Sequence, residues 1–292
     1  MPNCPERRGL RNRRGHAAGC AADVLGHREA SGDSAPRASV PAIFALELMM
    51  MGGSSALADN SAQTPDNGTD PTRLTQSIST SLEHLSLRGE LSQNTFDVQY
   101  STPITDDART ALRLTVPFIQ TDVAGNDSYS LSDVGLKISD VLTITRQYGI
   151  VVSGEVTFDT ANQTEGGTGK NVFKGTIAYV KFLEDGMIVA PSLNQSNSIW
   201  GEGDRRAVNM TVLDFYIVPK LDDPNTFLTL DPAINSNWQI GAQFLSLAVT
   251  IGRALGPAFG GRAQIYLRSS TFAGGERSAN WGVEVGYRVI GF

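Results

Sequence analysis

Cysteine, long apolar runs and helical periodicity are all scarce in this sequence. The only cysteines are Cys4 and Cys20, so the chain beyond residue 58 can form no internal disulfide. Beyond that point no apolar run reaches the roughly 18 residues of a membrane-spanning helix, and the mean hydropathy is −0.14. No segment there repeats apolar residues at the helical period. The sequence therefore predicts an all-β protein. A membrane barrel remains possible, because its strands need only about 9–11 residues.

Charge is scarce as well, and its balance excludes one class of partner. Charged residues make up 18% of the chain, against about 25% in average soluble proteins. Removing residues 1–58 from the totals leaves 17 basic and 25 acidic residues, a net charge near −8, without a basic cluster. Such a chain is not expected to bind nucleic acid. No cofactor or metal motif stands out, because the aspartate pairs at 106–107 and 222–223 lie in predicted turns.

The first 58 residues differ in composition from the rest. They carry seven arginines and no lysine, and Arg37 and Ala38 are followed by the apolar stretch SVPAIFALELMMMGGSSALA. This pattern predicts a Sec-type signal peptide cleaved after Ala58. The stretch before it is longer than a normal n-region, which favours a start codon further downstream. The alternative is a disordered basic arm followed by a short buried helix. Residues 59–73 are polar and rich in Pro, Asp and Asn, and predict a loosely held tail.

From residue 74 onward, apolar and polar residues alternate in segment after segment. The segment from Ile150 to Asp159 is one example, with Val152, Val156 and Phe158 on one face. Strict alternation predicts strands that are wet on one face and apolar on the other. Twelve such segments can be placed, with a range of 10–14, at 75–87, 94–102, 109–120, 133–144, 148–159, 171–183, 187–197, 208–219, 225–232, 238–254, 260–270 and 280–292.

The connections between these segments alternate in length. Long polar stretches at 121–132, 160–170 and 197–207 alternate with tight turns such as 184–186. Long external loops and short periplasmic turns are typical of bacterial outer-membrane barrels. The sequence therefore predicts a single transmembrane antiparallel β-barrel over residues 74–292. A soluble periplasmic β-sandwich shows the same alternation and stays open as an alternative.

A closed barrel of this size places polar residues inside and aromatic residues at the lipid interfaces. The predicted lumen-lining set has mixed signs, which argues against strong ion selectivity; it consists of Asp97, Arg113, Glu155, Asp159, Arg268, Glu284 and Arg288. The candidates for the aromatic girdles are Trp200, Trp238, Trp281, Tyr266 and Tyr287.

The C-terminal stretch WGVEVGYRVIGF predicts a closing strand that runs to the last residue. Its alternation directs Trp281, Val283, Val285, Tyr287 and Val289 toward lipid. By the same alternation Phe292 falls on the opposite face of the strand, so we predict a bulge at Gly291. The ending resembles the terminal strand of outer-membrane barrels, in which a final aromatic residue is recognised by the barrel-assembly machinery. That resemblance implies an assembly signal formed by Tyr287, Ile290 and Phe292.

The body of the chain is similar to the outer-membrane barrel family labelled as phenol-degradation, MetA-pathway, transporters. The resemblance spans most of 94–292 and is carried by residues 132–136 (SDVGL), 155–162 (EVTFDTAN), 166–170 (GGTGK), 231–232 (DP) and 237–238 (NW). It implies an outer-membrane channel or transporter for small solutes, apolar or aromatic compounds among them, and no catalytic residues.

The functional prediction is a passive channel in the bacterial outer membrane, in contact with lipid and with the assembly machinery. A lipid-modifying outer-membrane enzyme is the first alternative. Such enzymes pair a serine with a histidine, and His84 is the only histidine after residue 58, with Ser81, Glu83 and Ser86 nearby. A lone histidine on a strand is more often a lumen or rim residue than a catalytic base.

Overall fold

The computed structural model describes residues 67–124 and 126–292. The predicted leader, its cleavage site and residues 59–66 lie outside the described residues. The described chain is made of strands and two short 3-10 turns. Its strands are β1 (Ser77–Leu87), β2 (Ser92–Pro103), β3 (Thr110–Thr121), β4 (Asn126–Leu131), β5 (Gly135–Ile144), β6 (Tyr148–Thr157), β7 (Lys170–Phe182), β8 (Ile188–Gly201), β9 (Asn209–Val218), β10 (Thr226–Asn237), β11 (Ala242–Ala258), β12 (Gly261–Ala273) and β13 (Ala279–Ile290).

The sheet closes on itself. Each long strand pairs antiparallel with its neighbours, and β1 pairs with both β2 and β13. The short strand β4 lies in the connection between β3 and β5, and β3 also pairs directly with β5. The wall therefore contains twelve strands, which confirms the predicted barrel and excludes the sandwich. Closure leaves no open edge, as a sheet in lipid requires.

The two ends of the barrel differ in their connections. Both described ends of the chain lie at the same end, together with the turns 104–109, 145–147, 183–187, 219–225 and 259–260, and we call this the turn end. The opposite end, which we call the loop end, carries the two longest connections, 122–134 and 158–169. At the tightest turn, Phe259 and Gly260 adopt φ values of 51° and 84°, as a two-residue type I′ hairpin needs.

Several strands differ in extent from the prediction. β8 runs to Gly201 instead of ending at 197, and β10 continues through residues 235–237, which lie between two of the predicted segments. Polar residues in these stretches belong to the wall, because either face can be polar once a strand extends beyond the lipid. β13 ends at Ile290, so the prediction of a strand to the last residue is wrong. Gly291 has a φ of +70°, which confirms an irregularity there, although it ends the strand and is not a bulge within it.

The outer surface of the wall is apolar. Large side chains on alternate positions are 37–55% exposed on nearly every strand, among them Leu82, Phe96, Leu114, Leu136, Phe173, Leu193, Phe215, Leu245, Leu267 and Val285. The alternate residues face inward and are largely polar. No helix among the described residues is long and apolar enough to cross a membrane.

Residues 67–76 lie inside the turn end of the barrel, and we call them the plug segment. Its buried side chains include Thr69, Thr72 and Leu74. The Tyr216 hydroxyl donates to the Thr69 carbonyl at 3.1 Å, and Arg288 Nη2 donates to the Asn67 carbonyl at 2.7 Å. The loosely held tail predicted for residues 59–73 is therefore wrong for 67–73. These small, polar residues fit among the inward hydroxyls and charges of the wall, which the sequence pattern alone did not reveal.

Candidate functional site: the barrel interior

The interior is layered along the barrel. At the turn end, inward apolar side chains from several strands pack around Leu74 of the plug segment; they include Ala111, Val141, Val151, Ala178, Val180, Ala190, Tyr216 and Val218. Near the loop end a second apolar group contains Leu85, Leu87 and Ala279, with Leu91, Val123 and Phe272 against it. Phe244 packs beside Phe272 with ring centroids 6.4 Å apart. Both layers are apolar, and the layer between them is charged.

One side of the middle layer carries a row of four charges on adjacent strands. Arg113, Lys137, Glu155 and Lys174 are direct cross-strand partners on β3, β5, β6 and β7. Lys174 Nζ lies 2.8 Å from Glu155 Oε2. We call these residues the basic row, because three cations face one carboxylate. Unlike charges directly opposite each other stabilise a sheet, and like charges destabilise it.

The other side of the middle layer is mainly acidic. Arg268 Nη2 lies 3.3 Å from Asp231 Oδ2, and Arg268 is the direct partner of Glu284 on β13. Glu284 in turn lies opposite Glu83 on β1. Asp214 faces inward on β9 and is 3% exposed. The lumen charges on β3–β7 are therefore mainly basic, and those on β9–β13 and β1 are mainly acidic, with Arg268 and Arg288 among them.

Two inward glycines let aromatic rings lie flat against the wall. A Cβ on Gly286 would lie 2.0 Å from Cζ of Tyr266, and one on Gly252 would lie 2.1 Å from Cζ of Phe227. Tyr266 donates to Glu284 Oε1 at 2.8 Å, and the Arg288 guanidinium lies 5.4 Å from the centre of the Phe227 ring. The rings narrow the lumen on the acidic side, and only glycine leaves room for them.

A cavity of about 440 Å³ lies at the turn end between the plug segment and the turn at 219–225. Phe227 and Thr69 line both this cavity and a much smaller one of about 20 Å³ beside Arg268 and Asp231. The plug segment and Phe227 therefore separate the charged layer from the wider space at the turn end.

At the loop end, the connections are fastened to each other around Asp133. Its carboxylate accepts hydrogen bonds from the Thr168 amide at 2.8 Å, the Thr168 hydroxyl at 3.0 Å and the Ala161 amide at 3.2 Å. Burial raises the pKa of Asp133, and the hydrogen bonds from Thr168 and Ala161 act in the opposite direction. Arg205 donates to the carbonyls of Thr164 and Gly167, both at 2.6 Å. Residues 132–136 and 166–170, two of the stretches on which the family prediction rests, are thus in contact.

The structure places six of the seven predicted lumen residues on inward-facing strand positions. They are Asp97, Arg113, Glu155, Arg268, Glu284 and Arg288. Asp159 is exposed in the connection after β6, outside the wall, and its amide donates to Asn171 Oδ1 at 3.2 Å. Its placement differs because β6 ends at Thr157.

Lys137, Lys174, Asp214 and Asp231 are inward charges that the sequence reasoning did not select. The alternation of apolar and polar residues could have identified them. Lys137, for example, lies between the outward Leu136 and Ile138. Tyr266 also belongs to the interior at 3% exposure, so its prediction as a girdle residue is wrong. Trp200, Trp238, Trp281 and Tyr287 are exposed on the outer surface, at 58%, 58%, 47% and 37%.

His84 faces outward near the loop end. Its Nδ1 lies 2.8 Å from Asn94 Oδ1, and its ring centroid lies 5.4 Å from that of Trp281. It makes no hydrogen bond to a serine hydroxyl among the described residues. The described residues also contain no group of three or more His, Cys, Asp or Glu side chains that could hold a metal ion.

The residues of the predicted assembly signal lie at the closing seam. Tyr287 is outward, Ile290 is buried against the plug segment beside Gly68, and Phe292 is 39% exposed. Val289 was expected to face lipid but is only 1% exposed. Its side chain packs near Gly261, the first residue of β12, and neighbouring residues cover it.

Comparison with solved structures identifies the fold. The COG4313 outer-membrane channel from Pseudomonas putida F1 has a TM-score of 0.56 and 14% identity, over 74% of this chain and 95% of that one. The KdgM porin has a TM-score of 0.52 and 11% identity, over 73% and 98% of the two chains. The NanC porin has a TM-score of 0.52 and 9% identity, over the same shares. No family model and no curated protein matches the chain. The fold is therefore that of outer-membrane channel barrels.

Proposed function

We propose that the protein is a passive outer-membrane channel for small solutes. The observation that carries this proposal is the closed wall, apolar outside and charged inside. Apolar outer side chains suit lipid, and inward charges suit a water-filled path. The channel and porin structures of the same fold support it.

The proposal extends to the route into the membrane. A signal peptide ending at Ala58 directs export, and the turn end faces the periplasm. The C-terminal signal of Tyr287, Ile290 and Phe292 is read by the barrel-assembly machinery, and lipid then surrounds the wall. Membership of the phenol-degradation barrel family is part of the same proposal. The apolar layers at both ends of the lumen suit solutes with an apolar or aromatic part.

Single-channel recording tests the proposed function. The refolded protein is added to a planar lipid bilayer, and solute uptake is measured in parallel by swelling of liposomes that contain it. Discrete conductance steps together with uptake of a small solute are expected. A folded, heat-modifiable barrel that neither conducts nor admits solute would contradict the channel function.

A further inference from the structure

The outer surface near the loop end carries a patch of polar side chains on β8 and β9 and just after β10. We call it the amide patch; it consists of Gln195, Asn197, Asn209, Thr211 and Trp238. Gln195 Nε2 donates to Asn197 Oδ1 and to Asn209 Oδ1, both at 3.0 Å. The Thr211 hydroxyl donates to Gln195 Oε1 and accepts from the Trp238 indole N–H at 2.8 Å. One connected network therefore holds all five side chains in place.

The amide patch borders the apolar outer surface directly. Leu193, Leu213 and Ile234 are direct cross-strand partners, and their outward side chains are 38–47% exposed. Gln195 and Thr211, which are also partners, lie two residues further toward the loop end. Two residues of a strand span about 7 Å, so the outer surface changes from apolar to polar within that distance. A molecule that covers this region needs an apolar part beside the leucines and a polar part on the amide patch.

The side chains of the amide patch favour a sugar as the polar part. All five are uncharged, whereas proteins bind phosphate groups with Arg or Lys. Sugar hydroxyls both donate and accept hydrogen bonds, and amide side chains offer both functions. The Asn209 side chain enters the network as an acceptor, so its N–H groups remain available to a ligand. Trp238 is 58% exposed, and its apolar face suits the C–H face of a sugar ring.

We propose that the amide patch binds the sugar headgroup of a glycolipid in the membrane leaflet at the loop end. The acyl chains lie against Leu193, Leu213 and Ile234. The sugar hydroxyls accept hydrogen bonds from the Asn209 amide, and one sugar ring packs on Trp238. The proposal rests on the membrane location proposed above, and it adds a lipid partner on the outside of the barrel, separate from any solute in the lumen.

A titration followed by native mass spectrometry tests the amide patch without conduction. The full barrel is kept in tetraethylene glycol monooctyl ether, a detergent without sugar, and the probe is digalactosyl diacylglycerol. Phosphatidylglycerol with the same acyl chains lacks the sugar, and free galactose lacks the chains. The wild type should bind the glycolipid more tightly than either one. Gln195→Leu breaks the network and should weaken glycolipid binding about fivefold or more, as expected for lost hydrogen bonds.

Matched variants separate the sugar contact from a general loss of polarity. Gln147→Leu is the control for Gln195→Leu, because Gln147 is an exposed glutamine in a turn at the opposite end of the barrel. It should leave glycolipid binding unchanged. Trp238→Ala removes the stacking ring and should weaken binding, whereas Trp238→Phe keeps an aromatic face and should bind more tightly than Trp238→Ala. Heat-dependent migration on gels shows that each variant is folded.

Three outcomes would overturn the proposal. They are equal affinity of the wild type for phosphatidylglycerol, equal affinity for free galactose, and unchanged glycolipid binding by Gln195→Leu and Trp238→Ala. Conductance is measured separately. A barrel that binds the glycolipid through the amide patch but does not conduct would contradict the channel function alone, and one that conducts without binding it would contradict the glycolipid site alone.

Discussion

At the scale of single residues, two inward glycines shape the lumen as much as the large side chains do. Gly286 and Gly252 face inward and leave the space that Tyr266 and Phe227 occupy. Tyr266 can then reach Glu284, and Phe227 can lie near Arg288. In the sequence these glycines resemble ordinary interruptions of a strand. Their partners lie on neighbouring strands, so only the register between strands shows what they accommodate.

Gly286→Ala should destabilise the barrel. The added Cβ would overlap the Tyr266 ring and force it away from Glu284, at a cost of ~1–3 kcal/mol for an overpacked site. Urea unfolding of the refolded protein measures the change. Gly275→Ala is the control, because no atom lies within 4 Å of a Cβ there. A double variant with Tyr266→Ala should cost less than the two single changes added together. Additive costs would show that the ring and the glycine are not coupled.

At the scale of elements, the plug segment and the connections at the loop end close the two ends of the barrel in different ways. The loop end is fastened by hydrogen bonds to Asp133 and from Arg205. The plug segment is held by hydrogen bonds to its backbone, from Tyr216, Arg288 and the Gly291 amide, and by packing of Leu74. A short segment outside the hydrogen-bonded sheet can open locally at lower cost than the strands around it.

A disulfide between the plug segment and the wall should therefore keep the channel closed. A Cβ on Gly149 would lie 3.7 Å from the Thr72 Cβ, which suits a disulfide. In Thr72→Cys/Gly149→Cys, with Cys4 and Cys20 changed to Ser, conductance should be low when oxidised and rise on addition of dithiothreitol. The single Thr72→Cys variant should not respond to the reductant. High conductance in the oxidised double variant would show that solutes pass beside a fixed plug segment.

At the scale of the whole molecule, closure makes every strand depend on its two neighbours. β13 pairs with β1 and β12 along most of its length, so the last strand completes the barrel. Phe292 lies beyond that strand and is 39% exposed. Its contribution to closure is therefore small, and any importance in cells would come from recognition during assembly.

Phe292→Ala separates folding from assembly. The variant should refold in detergent to the same heat-modifiable form as the wild type, because Phe292 lies outside β13. In cells its level in the outer-membrane fraction should fall, since the proposed signal for the assembly machinery is lost. Leu255→Ala, which removes another exposed apolar side chain, is the control. Unchanged outer-membrane levels of Phe292→Ala would contradict the assembly signal.

The sequence by itself determined the strands, their approximate number and, for most positions, which face meets lipid. Those features follow from a local period of two, since successive side chains of a strand point to opposite faces. Alternation also directed Asp97, Glu155 and Arg288 inward. It could not give the end of β6, and Asp159 was therefore misplaced.

Only the tertiary structure decided which charges meet and what fills the lumen. The ion pair between Lys174 and Glu155 depends on the register between β6 and β7. The entry of residues 67–76 depends on hydroxyl and guanidinium groups contributed by β9 and β13. Neither arrangement leaves a local pattern in the chain, because each one joins residues on different elements whose register the sequence does not show.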